Sequence, residues 1–531
     1  MNKFFNTAGP IKKELHYYIP PLERIDWDEV QMLIASQKYF IIHAPRQTGK
    51  TSVLLEIMAT LNKQDQYNAL YINIEPTQVA RNNIETGIQT VCNILAQSAK
   101  LYLKDQRLTT WLHSLDGKTS ATVRFNAMLA YWAEINDKPI VLLIDEVDSL
   151  IGDTLVSLLR QIRSGYTQRP THFPQSIILC GLRDVKDYRI HVSTDDIITG
   201  GSAFNIKSKS MRLNNFTSKE IQLLFQQHSK TTGQLFDEEI ITELWQDTQG
   251  QPWLINALGY EMTWENKDAR DRDQPITLEQ YYIARDNLIQ SRATHLDQLV
   301  DKLNEPRVHE VIASLLSGEQ SDLKTSHDDL QYIEDLGLII QKPQIRISNR
   351  IYREIIPREL TAVTQANITQ EQSWYLTSEN HLDMNKLLTA FQQFYRENSE
   401  SWIERFDYKE AGSQLLMQAF LQRIINGGGR IFREYALGRK RTDLCIEWPV
   451  DHKKGFYGDV QKIIIELKIQ RGKLETIIDK SLEQTAEYAD KFNTEEAYLI
   501  IFNNDKTTSW DDKIWQMNKQ HKNYLIGVWG M

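Results

Sequence analysis

Cysteine is nearly absent. Three residues, Cys92, Cys180 and Cys445, are scattered through 531 positions, which excludes a disulfide framework and any cysteine-based metal-ligand spacing. Cys180 and Cys445 fall inside expected strands and read as buried, inert thiols. No uninterrupted apolar run reaches the roughly 18 residues that a membrane span needs. The segment Met1-Asn2-Lys3-Phe4-Phe5 lacks the apolar stretch of a secretory signal. These absences point to the cytoplasm, with no membrane partner. Positive charge is not in excess either: 61 Lys and Arg against 70 Asp and Glu give a net charge of −9. Any nucleic-acid contact must therefore come from a local basic patch, not from a global field. Internal repeats and low-complexity tracts are also missing. What remains is ordinary globular composition, in a chain too long for one core, so about three domains are expected.

The stretch His43-Ala44-Pro45-Arg46-Gln47-Thr48-Gly49-Lys50-Thr51-Ser52 organises the chain. It follows the apolar run Tyr39-Phe40-Ile41-Ile42, a buried strand, and precedes Val53-Leu54-Leu55-Glu56-Ile57-Met58, the start of a helix. Strand, loop and helix in that order are the context of a Walker A phosphate loop. Backbone N–H groups of Ala44, Arg46, Gln47, Thr48, Gly49 and Ser52 are expected to cradle the phosphates of ATP at the helix N-terminus. Lys50 is expected to reach the β- and γ-phosphates, and Thr51 to ligate Mg2+. Ala44 stands where the motif's first glycine belongs, which the turn tolerates if its φ stays negative.

Upstream, 26–37 reads as a short helix that either packs on an adenine or merely connects. Downstream come a strand at 69–74, a helix at 79–103 and a helix at 121–135. Then Ile140-Val141-Leu142-Leu143-Ile144 reads as a strand buried on both faces, ending in Asp145-Glu146. That is the Walker B pattern: Asp145 for Mg2+, Glu146 to polarise the attacking water. A fourth strand, 176–181, leads into Arg183, placed as a γ-phosphate sensor. Arg160, Arg163 and Arg169 are the alternatives, as fingers acting across a subunit interface.

The segments 44–52, 143–148, Gly181-Leu182-Arg183, Ala203-Phe204-Asn205-Ile206 and Gly250-Gln251-Pro252-Trp253-Leu254-Ile255-Asn256 resemble a bacterial AAA-like ATPase family. That family is close to the STAND signalling ATPases and the archaeal-type ATPases. The likeness covers roughly 15–360. It implies an additional-strand P-loop sheet, a helical lid and a winged helix, with a homo-oligomer formed through the ATPase domain. Residues 216–259 read as helical, opened by a Thr217-Ser218-Lys219-Glu220 capping box. A helix from 328 stopped by Gly337, then two short strands, supply the wing. It packs as a lid on the nucleotide domain or binds DNA.

Residues 357–383 are polar and read as a boundary. Helices are expected at 384–398 and 410–425. After Gly427-Gly428-Gly429 the period changes to two. Strands at 430–436 and 442–448 form a hairpin around a basic turn, Leu437-Gly438-Arg439-Lys440-Arg441. The next strand, 462–469, sets Glu466 and Lys468 on one face, with Ile465, Leu467 and Ile469 on the other. With Asp443 on the neighbouring strand, two carboxylates and a lysine suit a divalent metal used for phosphodiester cleavage. Asp443 with Glu466-Leu467-Lys468 resembles the PD-(D/E)XK, restriction-endonuclease-like nucleases. Gln484 and Tyr488 on the following helix resemble the Q-x-x-x-Y signature of one branch, and Glu410 matches an acidic residue sometimes found in the first helix.

The expected fold class is therefore multidomain α/β. It comprises a P-loop ATPase core at 1–210, a helical lid at 211–300, a winged helix at 301–360, a linker at 361–398 and a nuclease-like domain at 399–531. The expected function is an ATP-regulated, Mg2+-dependent nuclease acting on nucleic acid, DNA before RNA, in bacterial defence or mobile-element biology. The alternatives are a DNA-processing motor, or a switch ATPase carrying a nuclease-fold binding module that does not cut.

Overall fold

A strand buried on both faces needs apolar residues at every position, and β3 (Ile140–Asp145) and β4 (Ser176–Gly181) are buried at each of theirs. In the computed structural model the described residues are 3–115, 119–183, 190–191, 197–198, 208–290, 302–303, 305–317, 326–360, 375–405, 413, 416–418, 420–421, 429–437, 440–451, 455–494, 496–505 and 507–531. They divide into two compact units, Met1–His295 with Leu330–Ile340, and Leu296–Asp329 with Gln341–Met531. No described helix is long and apolar enough to cross a membrane.

The first unit is built on a five-stranded parallel sheet. In chain order its elements are α1 (Trp27–Ala35), β1 (Phe40–His43), α2 (Lys50–Gln64), β2 (Asn68–Asn73), α3 (Ile84–Tyr102), α4 (Arg107–Ser114), α5 (Ala121–Glu134), β3, α6 (Gly152–Ser164) and β4. A two-residue pair, β5 (Ile190–His191) with β6 (Ile197–Ile198), precedes the last strand, β7 (Lys209–Arg212). The strand order is β2-β3-β4-β1-β7, so two strands stand between β1 and β2. Side chains alternate across the sheet. Ile140, Leu142 and Ile144 enter a core with Phe125, Trp132 and Leu159 from α5 and α6. Val141 and Leu143 enter another with Val30, Leu54 and Ile57 from α1 and α2. The helix expected at 79–103 starts later, at Ile84. Pro76 opens a separate 3-10 turn, Glu75–Ala80, and the Asn83 side chain caps α3 by accepting from Thr86 N–H.

Beyond the sheet come α7 (Ser218–Thr232), α8 (Glu238–Thr248), α9 (Pro252–Tyr260) and α10 (Leu278–Gln290). The capping box of α7 forms as expected: Glu220 N–H donates to Thr217 Oγ1 and Thr217 N–H to Glu220 Oε2. The N-terminal segment lies against these helices, with Phe5 and Tyr17 among the rings of Phe225 and His228. Then follow α11 (Pro306–Ser317), α12 (His327–Asp335), β8 (Ile339–Ile340), β9 (Arg346–Ile347) and α13 (Arg350–Leu360). Gly337, at φ +81°, sits just past the end of α12.

The second unit contains a six-stranded mixed sheet. Helix α14 (Met384–Arg405) precedes β10 (Arg430–Leu437), β11 (Lys440–Pro449) and β12 (Val460–Ile469), an antiparallel meander. Helix α15 (Leu474–Phe492) crosses over to β13 (Glu496–Phe502), which runs parallel to β12. After β13 come a short helix, α16 (Trp510–Lys513), and a terminal hairpin, β14 (Trp515–His521) and β15 (Tyr524–Gly530). The order is β10-β11-β12-β13-β15-β14. One face packs on α14 through Leu388, Phe391 and Tyr395. The other packs on α15 through Leu482, Ala486 and Ala489. Of the helix expected at 410–425, only 413, 416–418 and 420–421 are described, and they are helical. Glu410 lies outside the described residues, as does the segment 203–206. The expected basic turn is shorter than its residues suggested. Lys440 and Arg441 are already in β11, paired with Leu437 and Ala436.

Candidate functional site

Helix α2 begins directly after the loop that leaves β1. Its N-cap, Gly49, has φ +93° and no side chain to offer, so the first-turn N–H groups receive no side-chain cap. Uncapped N–H groups and the helix dipole together attract an anion. Lys50 is buried, and its Nζ turns back over the loop to donate to Ala44 O at 2.9 Å and Pro45 O at 3.1 Å. Thr48 Oγ1 donates to Pro45 O at 2.8 Å and closes the same turn. Ala44 is not among the residues of positive φ, so its methyl group is tolerated, whereas Gln47 takes φ +57°. Arg46 is exposed. Ser52 Oγ accepts Ile11 N–H at 3.1 Å.

The end of β3 meets this loop. Thr51 Oγ1 donates to Asp145 Oδ2 at 2.7 Å. The Asp145 carboxylate is fully buried, and its Oδ1 accepts Glu146 N–H at 3.0 Å. Glu146 itself adopts a left-handed conformation, φ +59°. Burial, reinforced by the charge of Asp148, pushes its carboxyl up to about 7, with Lys50 opposing. Asp148 Oδ1 accepts Leu182 N–H at 3.1 Å and so ties the Walker B turn to the exit of β4. A polarised helix end, a buried ammonium and a hydroxyl–carboxylate pair fit a nucleoside triphosphate with its divalent ion.

Arg183 leaves β4 as expected, but its Nε pairs with Asp335 Oδ2 at 3.4 Å, and its guanidinium lies 4.8 Å from the Tyr332 ring centroid. Asp335 is buried, which raises its carboxyl above the usual range. Among the alternatives, Arg160 and Arg163 are exposed on α6. Arg169 donates to Tyr166 O at 2.6 Å and to Gln37 O, with its guanidinium 3.4 Å from the Tyr166 ring centroid. That packing holds a local turn.

Three residues of this site escaped the sequence reading. Arg24 donates from Nη1 to Thr48 O at 2.5 Å and from Nη2 to Asn214 O at 2.6 Å, while its guanidinium stacks 4.8 Å from the Phe216 ring centroid. Burial pushes it down to about 10. A Cβ added to Gly49 would meet its Nη1 at 2.8 Å. Tyr71 donates to Asp145 Oδ2 at 3.0 Å. Asp335 is the third. No motif marks them, because their role comes from packing and not from spacing.

In the second unit, Glu466 is 1 % exposed and its Oε1 accepts Lys468 Nζ at 2.5 Å. Both lie on the face of β12 covered by α15, since Ile464 of that face packs with Leu482 and Ala489. Ile465 and Leu467 enter the opposite core, as expected. On α15, Gln484 Nε2 donates to the buried Tyr488 Oη at 2.9 Å. Leu444 of β11 pairs with Ile465 of β12. Asp443 and Glu466 are each the next residue along their strand. The side chain of Asp443 lies outside the described residues.

The AAA-like domain family matches residues 6–356. No curated protein matches the chain. Among solved structures it is similar to a Walker-type ATPase of Pyrococcus abyssi, at 14% identity and TM-score 0.47, over 66% of this chain and 99% of that one. It is similar to the ORC2 protein of Aeropyrum pernix at 15% identity and TM-score 0.38, over 66% and 96%. It is also similar to Cdc6p of Pyrobaculum aerophilum at 15% identity and TM-score 0.37, over 68% and 97%. The family match spans well over half of the sequence and contains the phosphate loop, the Asp145-Glu146 strand end and the parallel sheet that joins them, so the chain belongs to the AAA-like domain family of P-loop ATPases.

Proposed function

We propose that this AAA-like ATPase is a nucleotide switch for a metal-dependent nuclease carried on the same chain. Residues 1–210 would form the ATPase core, 211–300 the lid and 301–360 a winged helix in lid position. Residues 361–398 would be a linker and 399–531 a restriction-endonuclease-like domain. In the core, the loop N–H groups from Ala44 to Ser52 and Lys50 would hold the phosphates of ATP. Thr51 and Asp145 would hold Mg2+, whose charge, when bound, offsets that of the phosphates. Glu146, poised near neutrality by burial, would take a proton from the attacking water, and Arg183 would sense the γ-phosphate.

The observation that carries the nuclease reading is the buried Glu466 carboxylate, bonded to Lys468, on the face of β12 that packs against α15, the helix that bears the Gln484–Tyr488 pair. A carboxylate removed from water this completely needs a cationic partner. An ammonium supplies one, and the donor set of two carboxylates fits a divalent ion as a second. Such an ion, when bound, activates water and screens developing charge. Asp443 and Glu466 would hold it, Lys468 would orient the nucleophile, and Gln484 with Tyr488 would fix the geometry of that face. The partner would be nucleic acid, DNA before RNA, and the ATPase domain would mediate self-association.

The test is a cleavage assay on single- and double-stranded DNA and RNA with Mg2+ or Mn2+, with and without ATP. Lys468→Ala is expected to lose cutting and keep ATP hydrolysis. Lys50→Ala is expected to lose nucleotide binding and the response of cutting to ATP. ATPase turnover strongly stimulated by DNA, without cutting, would instead identify a motor. Asp443→Ala without effect on any cleavage would leave a binding module.

A further inference from the structure

Tyr71 lies on β2, two residues before Asn73, which pairs in register with Asp145 on β3. Its ring is buried between sheet and helix, and its hydroxyl donates to Asp145 Oδ2 at 3.0 Å. The same oxygen accepts Thr51 Oγ1 at 2.7 Å, while Oδ1 accepts Glu146 N–H at 3.0 Å. Asn73, two residues along the same face of β2, has its side chain near the phenol, and its Oδ1 accepts Glu75 N–H at 2.8 Å. A phosphate-loop site requires Thr51 and Asp145; nothing in that motif requires a phenol.

We propose that Tyr71 is a positioning residue that fixes the plane of the Asp145 carboxylate and thereby sets the affinity of the nucleotide site for its divalent ion. The argument is one of lone pairs. An ionised carboxylate has about four acceptor positions. Two donors, Thr51 and Tyr71, meet on Oδ2, and the Glu146 amide occupies one position on Oδ1. The carboxylate cannot rotate without breaking one of these bonds, so its plane is set before an ion would bind. Without the phenol, Oδ2 keeps only the Thr51 hydroxyl, a group that is itself an expected ligand, so on that oxygen no donor independent of the ion's ligands remains. Partners of this kind typically change metal affinity by about 10–100-fold.

This inference rests on reading Asp145 as part of the nucleotide–metal site, and the test separates the two. Binding of a fluorescent ATP analogue to the full chain is titrated with Mg2+, and also measured in excess chelator. For Tyr71→Phe, the Mg2+ concentration at half-saturation is expected to rise about tenfold, while affinity in chelator and the melting midpoint stay at wild-type values. Asn73→Ala, which removes the phenol's polar neighbour on the same strand face, is expected to shift the same midpoint by a smaller factor. If wild-type binding ignores Mg2+, the reading of the site itself fails. If wild type responds to Mg2+ and neither variant moves the midpoint, the role assigned to Tyr71 is overturned.

Discussion

Two single residues carry more strain or desolvation than their neighbours. Gly49 combines φ +93° with a Cβ position 2.8 Å from Arg24 Nη1. Gly49→Ala would therefore meet both a left-handed backbone penalty of about 1–2 kcal/mol and a buried guanidinium. The expected outcome is loss of nucleotide binding with a lowered denaturation midpoint, read by analogue fluorescence and urea unfolding. His228 is fully enclosed by Phe5, Tyr17 and Phe236, with Nε2 3.0 Å from Gln234 Oε1. Burial pushes its ring down to about 4. The unfolded chain takes up this proton below about 6.5, the folded chain only below about 4. Between those values the unfolded state holds more protons, so stability falls as pH is lowered. The full effect is on the order of 3 kcal/mol. The melting transition of the full chain is expected to lose stability across that window. In His228→Leu that slope should flatten, since Arg272 still satisfies Gln234 Oε1.

At the scale of elements, the interest lies in ends. The start of α7 is held by both halves of its capping box, and Thr217→Ala is expected to cost about 1 kcal/mol, measurable as a shift of that same transition. The end of α12 matters for another reason. Asp335 pairs with Arg183 at the exit of β4, and a Cβ on Gly337 would approach the Pro45 side chain at 3.0 Å. The end of α12 and the residues just after it thus lie against Arg183, the arginine proposed as the γ-phosphate sensor, and against the phosphate loop. Asp335→Asn is expected to weaken the hold on Arg183 and raise steady-state ATP hydrolysis by up to about tenfold, the worth of a charged hydrogen bond. Arg183→Ala should lower it. Equal rates in Asp335→Asn and wild type would count against any restraint of Arg183 by that carboxylate.

For the whole molecule, the expected behaviour is coupling between two units of one chain. Cleavage by wild type is expected to respond to ATP, and cleavage by Lys50→Ala is not. Much of this organisation could be read from local pattern. The phosphate loop, the strand ending in Asp145-Glu146, the capping box of α7 and the face shared by Glu466 and Lys468 depend on near neighbours and on strand or helix period, so sequence alone determined them. The start of α3 was missed because a proline and a cap outweighed the apolar period. The terminal hairpin was missed because β14 is exposed along most of its length and shows no buried alternation. What brought Tyr71 to Asp145, Arg24 to Thr48 and Asp335 to Arg183 was tertiary structure, across 74, 24 and 152 residues of sequence. Such pairs leave no local trace, because a hydrogen bond between distant residues depends on strand order and packing, and neither is written in the spacing of the residues that make it.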